Sequence, residues 1–148
     1  MAAEKQAAVY WNDQAIAVVA ESGCMLFGMD LQAGLAIFPR DVQADDLGQA
    51  VQHALANSRE MSPADVKAYF ERSLVSARHQ TFIHSLMEAG GGKSKAAVER
   101  SLHMCRVYRS GDTIRIRTAR RMAPVGGSWK VADGTAHLRR AKSSVLPY

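Results

Sequence analysis

The chain has 148 residues, 47% of them hydrophobic and 22% charged, with a net charge of +5. That length fits one domain, residues 1–148, with a substantial hydrophobic core, and its longest apolar runs, Ala15–Ala20 and Leu35–Phe38, fall far short of the roughly 20 residues a membrane span requires. Met1–Gln6 contains Glu4 and Lys5 and no apolar run, so no secretory signal is expected. Cys24 and Cys105 stand far apart without metal-ligand spacing, which fits two reduced thiols in a cytoplasmic protein.

The charges are unevenly distributed. Residues 1–92 carry six Lys or Arg against eleven Asp or Glu, and residues 93–148 carry thirteen against three. Segregated fields of opposite sign orient a macromolecular partner more readily than they build a catalytic pocket.

The first forty residues read as strands, at Val9–Trp11, Ala15–Ala20, Met25–Phe27 and Leu35–Phe38. Asn12-Asp13, Ser22-Gly23 and Gly34 punctuate them, and Pro39, which has no N–H for a ladder, ends the region. The middle of the chain is helical. Leu47, Ala50, Val51, Ala54 and Leu55 recur on one helical face, behind Asp45 and Asp46 at the positive end of the dipole. Ser62-Pro63-Ala64-Asp65 is a helix start, with Val66, Tyr69 and Phe70 as its apolar stripe. A third helix over about Leu74–Ala89 buries Phe82, Ile83, Leu86 and Met87 and stops at Gly90-Gly91-Gly92. Ser94 then caps a short helix through Ser101. Two strands follow, His103–Arg109 and Thr113–Thr118, around the turn Ser110-Gly111-Asp112. In the second, Ile114, Ile116 and Thr118 face the core while Thr113, Arg115 and Arg117 form a wet, cationic face. Met122–Gly127 reads as a linker, and Ser128–Val131 with Thr135–Arg139 as a second hairpin around Ala132-Asp133-Gly134. The fold class is α+β: an N-terminal strand meander and a C-terminal hairpin share one sheet, packed by three to four helices.

No active site assembles from these residues. Gly92-Lys93-Ser94 looks like the tail of a phosphate loop, but position 87 is Met and the preceding segment is helical, so a helix stop and cap explain it better. His79 and His84 lie five apart, on different faces of a helix, and no metal or other cofactor is expected. Cys105, near His103 and Arg106, alternates with Val107 as a core position does. Catalytic residues are therefore expected to be none. The cluster Arg106, Arg109, Arg115, Arg117, Arg120 and Arg121, with Tyr108 and Trp129, suits RNA contact and stacking, a protein interface, or a merely solvated surface.

The order of short motifs resembles the CdiI-type immunity proteins of bacterial contact-dependent growth inhibition systems. The likeness runs over about residues 8–131. It is carried by Val9-Tyr10-Trp11, by Leu47-Gly48 through Val51, Ala54-Leu55 and Ser58-Arg59, by Gly92-Lys93-Ser94-Lys95 through Val98, by Cys105-Arg106-Val107, by Gly111 through Ile116, and by Trp129. After Trp129 the segment Ala136–Tyr148 departs from the family's ending, and the net positive charge is unusual for an antidote to a basic nuclease. The resemblance implies a cytoplasmic, non-enzymatic antidote that binds the C-terminal toxin domain of a CdiA-like effector, commonly a nuclease acting on tRNA, and occludes it stoichiometrically. Because cationic nuclease surfaces dock on acidic patches, the toxin contacts are expected at Asp41, Asp45, Asp46 and Glu60. Arg106, Arg115 and Arg117 are the alternative partner-binding face, and a small RNA-binding module using that hairpin is the alternative function.

Overall fold

Strand β2, Ala15–Gly23, has all nine of its residues buried. Such a strand needs neighbours on both edges and cover on both faces, and the rest of the chain supplies them. The computed structural model describes residues 4–121 and 129–139. In chain order the elements are β1 (Lys5–Trp11), β2, β3 (Phe27–Met29), β4 (Leu35–Pro39), α1 (Ala44–Asn57), α2 (Pro63–Tyr69), α3 (Arg72–Glu88), α4 (Lys95–Ser101), β5 (His103–Ser110), β6 (Thr113–Arg121) and β7 (Trp129–Arg139). All seven strands form one antiparallel sheet in the order β3-β2-β1-β5-β6-β7, with β4 sharing an edge of β2 with β3. The expected α+β architecture is the one observed: the N-terminal meander and the C-terminal strands meet where β1 pairs with β5.

The period-two alternation of the central strands divides the core into two layers. On one face Ala8, Tyr10, Ala17, Val19 and Met104 pack against Phe82, Ile83 and Leu86 of α3 and Val98 of α4. On the other, Ala7, Val9, Ile16, Val18, Ala20, Val107 and Ile114 pack against Ala54 and Leu55 of α1. The Tyr10 and Phe82 rings lie 4.8 Å apart, tilted at 53°, which anchors α3 to the sheet.

Local chemistry fixes the ends of these elements. Ser62 accepts from the Asp65 amide ahead of Pro63, and Ser94 accepts from the Ala97 amide, so Gly92-Lys93-Ser94 is a stop and a cap. Glu71, which the sequence reading passed over, caps α3 by accepting from the Ser73 and Leu74 amides. Gly111 takes φ 58° in the tight β5–β6 turn, a conformation that favours glycine.

Three sequence expectations change. The apolar stripe of α2 is only half-covered; no residue of that helix is buried. Met25 and Leu26 precede β3 and form an exposed turn, because β3 begins at Phe27. The second C-terminal hairpin is one continuous strand, β7. Its register against β6 passes from Arg117↔Thr135 to Ala119↔Val131, so Ala132-Asp133-Gly134 lie opposite Thr118 as a bulge. The expected linker Met122–Gly127 lies outside the described residues, as do Ser128 and residues 140–148.

Asn12 ties the sheet to the helical layer. It is 4% exposed. Its Oδ1 accepts from the amides of Gln14 (2.9 Å) and Ala15 (3.0 Å), while Nδ2 donates to Gly91 O (2.7 Å) and Ser101 Oγ (3.1 Å). Removing the amide orphans buried groups at both ends of this link. Asn12→Ala is expected to lower stability by about 2–3 kcal/mol in denaturant unfolding, whereas a loss below about 0.5 kcal/mol would show the link to be dispensable.

Candidate functional site

Helix α1 begins with Asp45 and Asp46 in its first turn, and Asp41 lies in the preceding turn. All three are exposed, and none of their side chains has a hydrogen bond or ion pair among the described residues. They form an open anionic rim beside a shallow groove of about 520 Å³ between β4 and α1, lined by Leu35, Phe38, Asp46, Gln49, Ala50 and His53. Glu60 is not part of this rim. It follows the other end of α1, about 20 Å away along a helix of 14 residues rising 1.5 Å each. There it bridges to Gly23 and lines a small notch of about 290 Å³ with Glu4, Gln6, Cys24, Met25 and Phe27.

The arginine face is arranged differently from the wet cationic surface that alternation suggested. Arg106 lies opposite Arg117, and Tyr108 opposite Arg115, across the β5–β6 pair. Arg106 Nε donates to Glu21 Oε1 at 3.0 Å, with the Glu21 side chain only 2% exposed. Burial pushes the Glu21 carboxyl above its ordinary range, and the Arg106 charge and hydrogen bond oppose that shift. Arg115 sits 4.4 Å over the Tyr108 ring and 3.7 Å from Glu4. Arg115 and Arg117 are half-buried, and the Nε of each is buried without a hydrogen-bond partner among the described residues. The structure thus commits Arg106 to an internal partner and leaves Arg117 as the least engaged of the three.

A larger open cavity of about 600 Å³ lies between the β3–β4 corner and α2–α3, lined by Asp30, Arg59, Met61, Tyr69, Leu74 and Arg78 among others. Asp30, Arg59 and Arg78 in its lining are engaged internally. Arg59 Nε donates to buried Asp30 at 2.7 Å. Arg78 lies 3.6 Å from the Tyr69 ring and donates to Tyr69 O. Burial would raise the Asp30 carboxyl, but hydrogen bonds from Arg59 and Ser22 and the Arg59 charge hold it below its usual range. Among the described residues no group of three or more His, Cys, Asp or Glu could hold a metal ion. Burial pushes the Cys105 thiol up to about 11, so it is protonated at neutral pH and a poor nucleophile. No helix among the described residues is long and apolar enough to cross a membrane.

The family model described as CDI immunity protein matches residues 5–147. This chain belongs to that family. The match extends beyond residues 8–131, over which the motifs were read. No curated protein matches the chain. Among solved structures, the immunity protein is similar to a protein of unknown function from Neisseria meningitidis, with TM-score 0.80, 22% identity, and coverage of 93% of this chain and 84% of that one. It is also similar to a chain of the CdiA-CT/CdiI toxin and immunity complex from Yersinia pseudotuberculosis, with TM-score 0.69, 21% identity, and coverage of 80% and 75%. At these identities the likeness is one of fold.

Motifs that carried the sequence resemblance prove to be structural in the immunity protein. Ser58 Oγ donates to Glu21 O and accepts from the Gln6 amide, and the Arg59 amide donates to Ser22 Oγ. Together with the Arg59–Asp30 pair they fasten the end of α1 to β1, β2 and the β3–β4 corner. Sequence reasoning missed the exposed pair Met25-Leu26. Its available signal was two large apolar residues one position beyond the turn residues Ser22-Gly23.

The Glu21–Arg106 pair generates a test with a defined sign. Glu21's folded pKa is raised, so its ionised form costs stability at neutral pH and that cost is relieved as pH falls through the folded value. Arg106→Met leaves the buried carboxylate uncompensated and is expected to cost about 3 kcal/mol at pH 7. The deficit should shrink as pH is lowered toward 4.5, because below its raised folded value the Glu21 carboxyl is neutral and no longer needs the Arg106 charge. Urea unfolding of wild type and variant at both pH values measures this, and a deficit independent of pH would mean that Arg106 acts through packing alone.

Proposed function

We propose that this immunity protein binds the C-terminal toxin domain of a cognate CdiA-like effector and neutralises it by stoichiometric occlusion, without chemistry of its own. The observation that carries the reading is the family match over residues 5–147. The solved complex of a CdiA-CT toxin with its CdiI partner, which shares this fold, supports a protein partner. The toxin is a nuclease, such as one acting on tRNA, because the unpaired carboxylates of Asp41, Asp45 and Asp46 suit a surface that is itself cationic in order to hold nucleic acid. Their freedom from internal partners means that docking breaks no existing ion pair. Charge pairing at this rim also gives specificity, since a non-cognate toxin presenting like charge is repelled. The alternative of an RNA-binding hairpin is weakened by the internal pairing of Arg106 with Glu21 and of Arg115 with Glu4.

The test is a titration of the immunity protein against the purified toxin domain encoded beside it, in its inactivated form, with bulk tRNA as competitor. A 1:1 complex that resists tRNA and abolishes the activity of the intact toxin is the expected result. Retention of tRNA without toxin binding, with affinity falling steeply as salt rises, would overturn it in favour of the arginine hairpin. In the same assay, reversing Asp41, Asp45 and Asp46 to Lys is expected to weaken toxin binding at least tenfold, about 1.4 kcal/mol, chiefly through the association rate and less so at high salt.

A further inference from the structure

The β2–β3 turn exposes the two most solvent-accessible large apolar side chains among the described residues, Met25 at 98% and Leu26 at 61%. Two adjacent apolar residues held in solvent at a turn call for an explanation that a scattered surface leucine does not. The turn is also held in place. The Cys24 amide donates to Leu26 O within it, the Gly23 amide donates to Arg59 O, and the Met61 amide donates to Gly23 O. The segment after α1 therefore straps the base of the turn. Gly23 admits no side chain, since a Cβ there would lie 1.9 Å from Leu26 O. Such a tip is presented in one geometry, which reduces the ordering cost of binding.

Beside the tip lies the small notch of about 290 Å³ whose lining includes two carboxylates, Glu4 and Glu60, and no basic residue. Glu4 is partly engaged by Arg115 at 3.7 Å and by Ser110, whereas Glu60 has no hydrogen bond or ion pair among the described residues. We infer that Met25, Leu26 and Glu60 form a second toxin contact. In it the apolar tip packs on an apolar patch of the toxin domain while a lysine or arginine from that patch enters the notch. This rests on the proposed toxin-binding function and deepens it, assigning Glu60 to the tip instead of to the start of α1. The acidic notch disfavours the other use of an apolar tip, insertion into an anionic membrane surface.

The test uses the full chain and the inactivated toxin domain encoded beside it, with affinity measured calorimetrically. Met25→Ser/Leu26→Ser is expected to weaken binding at least 30-fold, about 2 kcal/mol at 1.4 kcal/mol per tenfold, and Glu60→Lys at least tenfold. Neither should change the melting temperature by more than a degree or two, because the altered side chains are solvent-exposed. Wild-type affinity in both variants would overturn the inference and leave the toxin-binding function standing. Failure of the wild-type protein to bind the toxin would overturn both. A wild-type dimer in light scattering that the tip variant converts to monomer would also overturn the inference, because the tip would then be covered by a second copy.

Discussion

Strand β1 must hydrogen-bond along both edges and bury both faces at once, and most other features follow from that constraint. Its partners come from opposite parts of the chain, β2 directly after it and β5 beyond all four helices. Helix α1 covers one face; α3 and α4 cover the other. The local sequence is small where the layers meet, with Ala7, Ala8, Ala15, Ala17 and Ala20 all essentially inaccessible. Bulk arrives from the helices as Leu55, Phe82, Ile83 and Leu86. A larger residue at one of these alanines would push a whole helix away from the sheet, because a densely packed interior has little slack to absorb added volume.

Polar groups buried at the rim of this core are arranged in matched sets. Glu21, Ser22, Asp30 and Ser58 are all fully buried. Each is satisfied by a neighbour from a different element: Arg106 for Glu21, Asp30 for Ser22, Arg59 for Asp30, and the Glu21 carbonyl for Ser58. The proposed toxin-binding surface draws on what these sets leave over. Asp41, Asp45, Asp46 and Glu60 are among the carboxylates that no internal partner claims among the described residues, so they can be desolvated against a partner without first losing an ion pair. Two arginines of the basic half, Arg106 and Arg115, are already paired internally. The charge partition of the sequence is therefore weaker on the folded surface than in the chain, because Glu21 and Glu4 of the first half pair with those arginines of the second.

The parts of this fold that were legible in the sequence were those decided locally. Ser62-Pro63, Ser94 and the Gly90–Gly92 stop mark helix ends through groups within a few residues, and the apolar period of α1 identifies its buried face. Asp45 and Asp46 could be placed together for the same reason. Where distant partners decide, local reading failed. The Ala15–Ala20 run was recognisable as a strand, but its continuation through Glu21, Ser22 and Gly23 depends on Arg106 and Arg59. Ala132-Asp133-Gly134 has the composition of a turn, yet pairing along β6 keeps the strand continuous and reduces the turn to a bulge. Glu60 is close in sequence to the acidic helix, but the length of that helix separates it from the start. The arginine alternation of β6 was visible, but not the Glu4 carboxylate that engages Arg115, nor the buried Glu21 that pairs with Arg106 of β5.

The ion pair between Glu21 and Arg106 joins residues 85 positions apart, and this has a consequence in time. While the chain is being made, β2 is complete long before β5 exists, so the Glu21 carboxylate remains hydrated and the outer edge of β1 stays open. Closing so long a loop is entropically slow, and a sheet dominated by such distant pairings folds in roughly milliseconds to seconds, not microseconds. Until β5 docks, the N-terminal meander is an unpaired edge with apolar faces, the stage at which the chain is most exposed to aggregation. Glu21, which later pairs with Arg106, meanwhile keeps its own part of the β2 face hydrated.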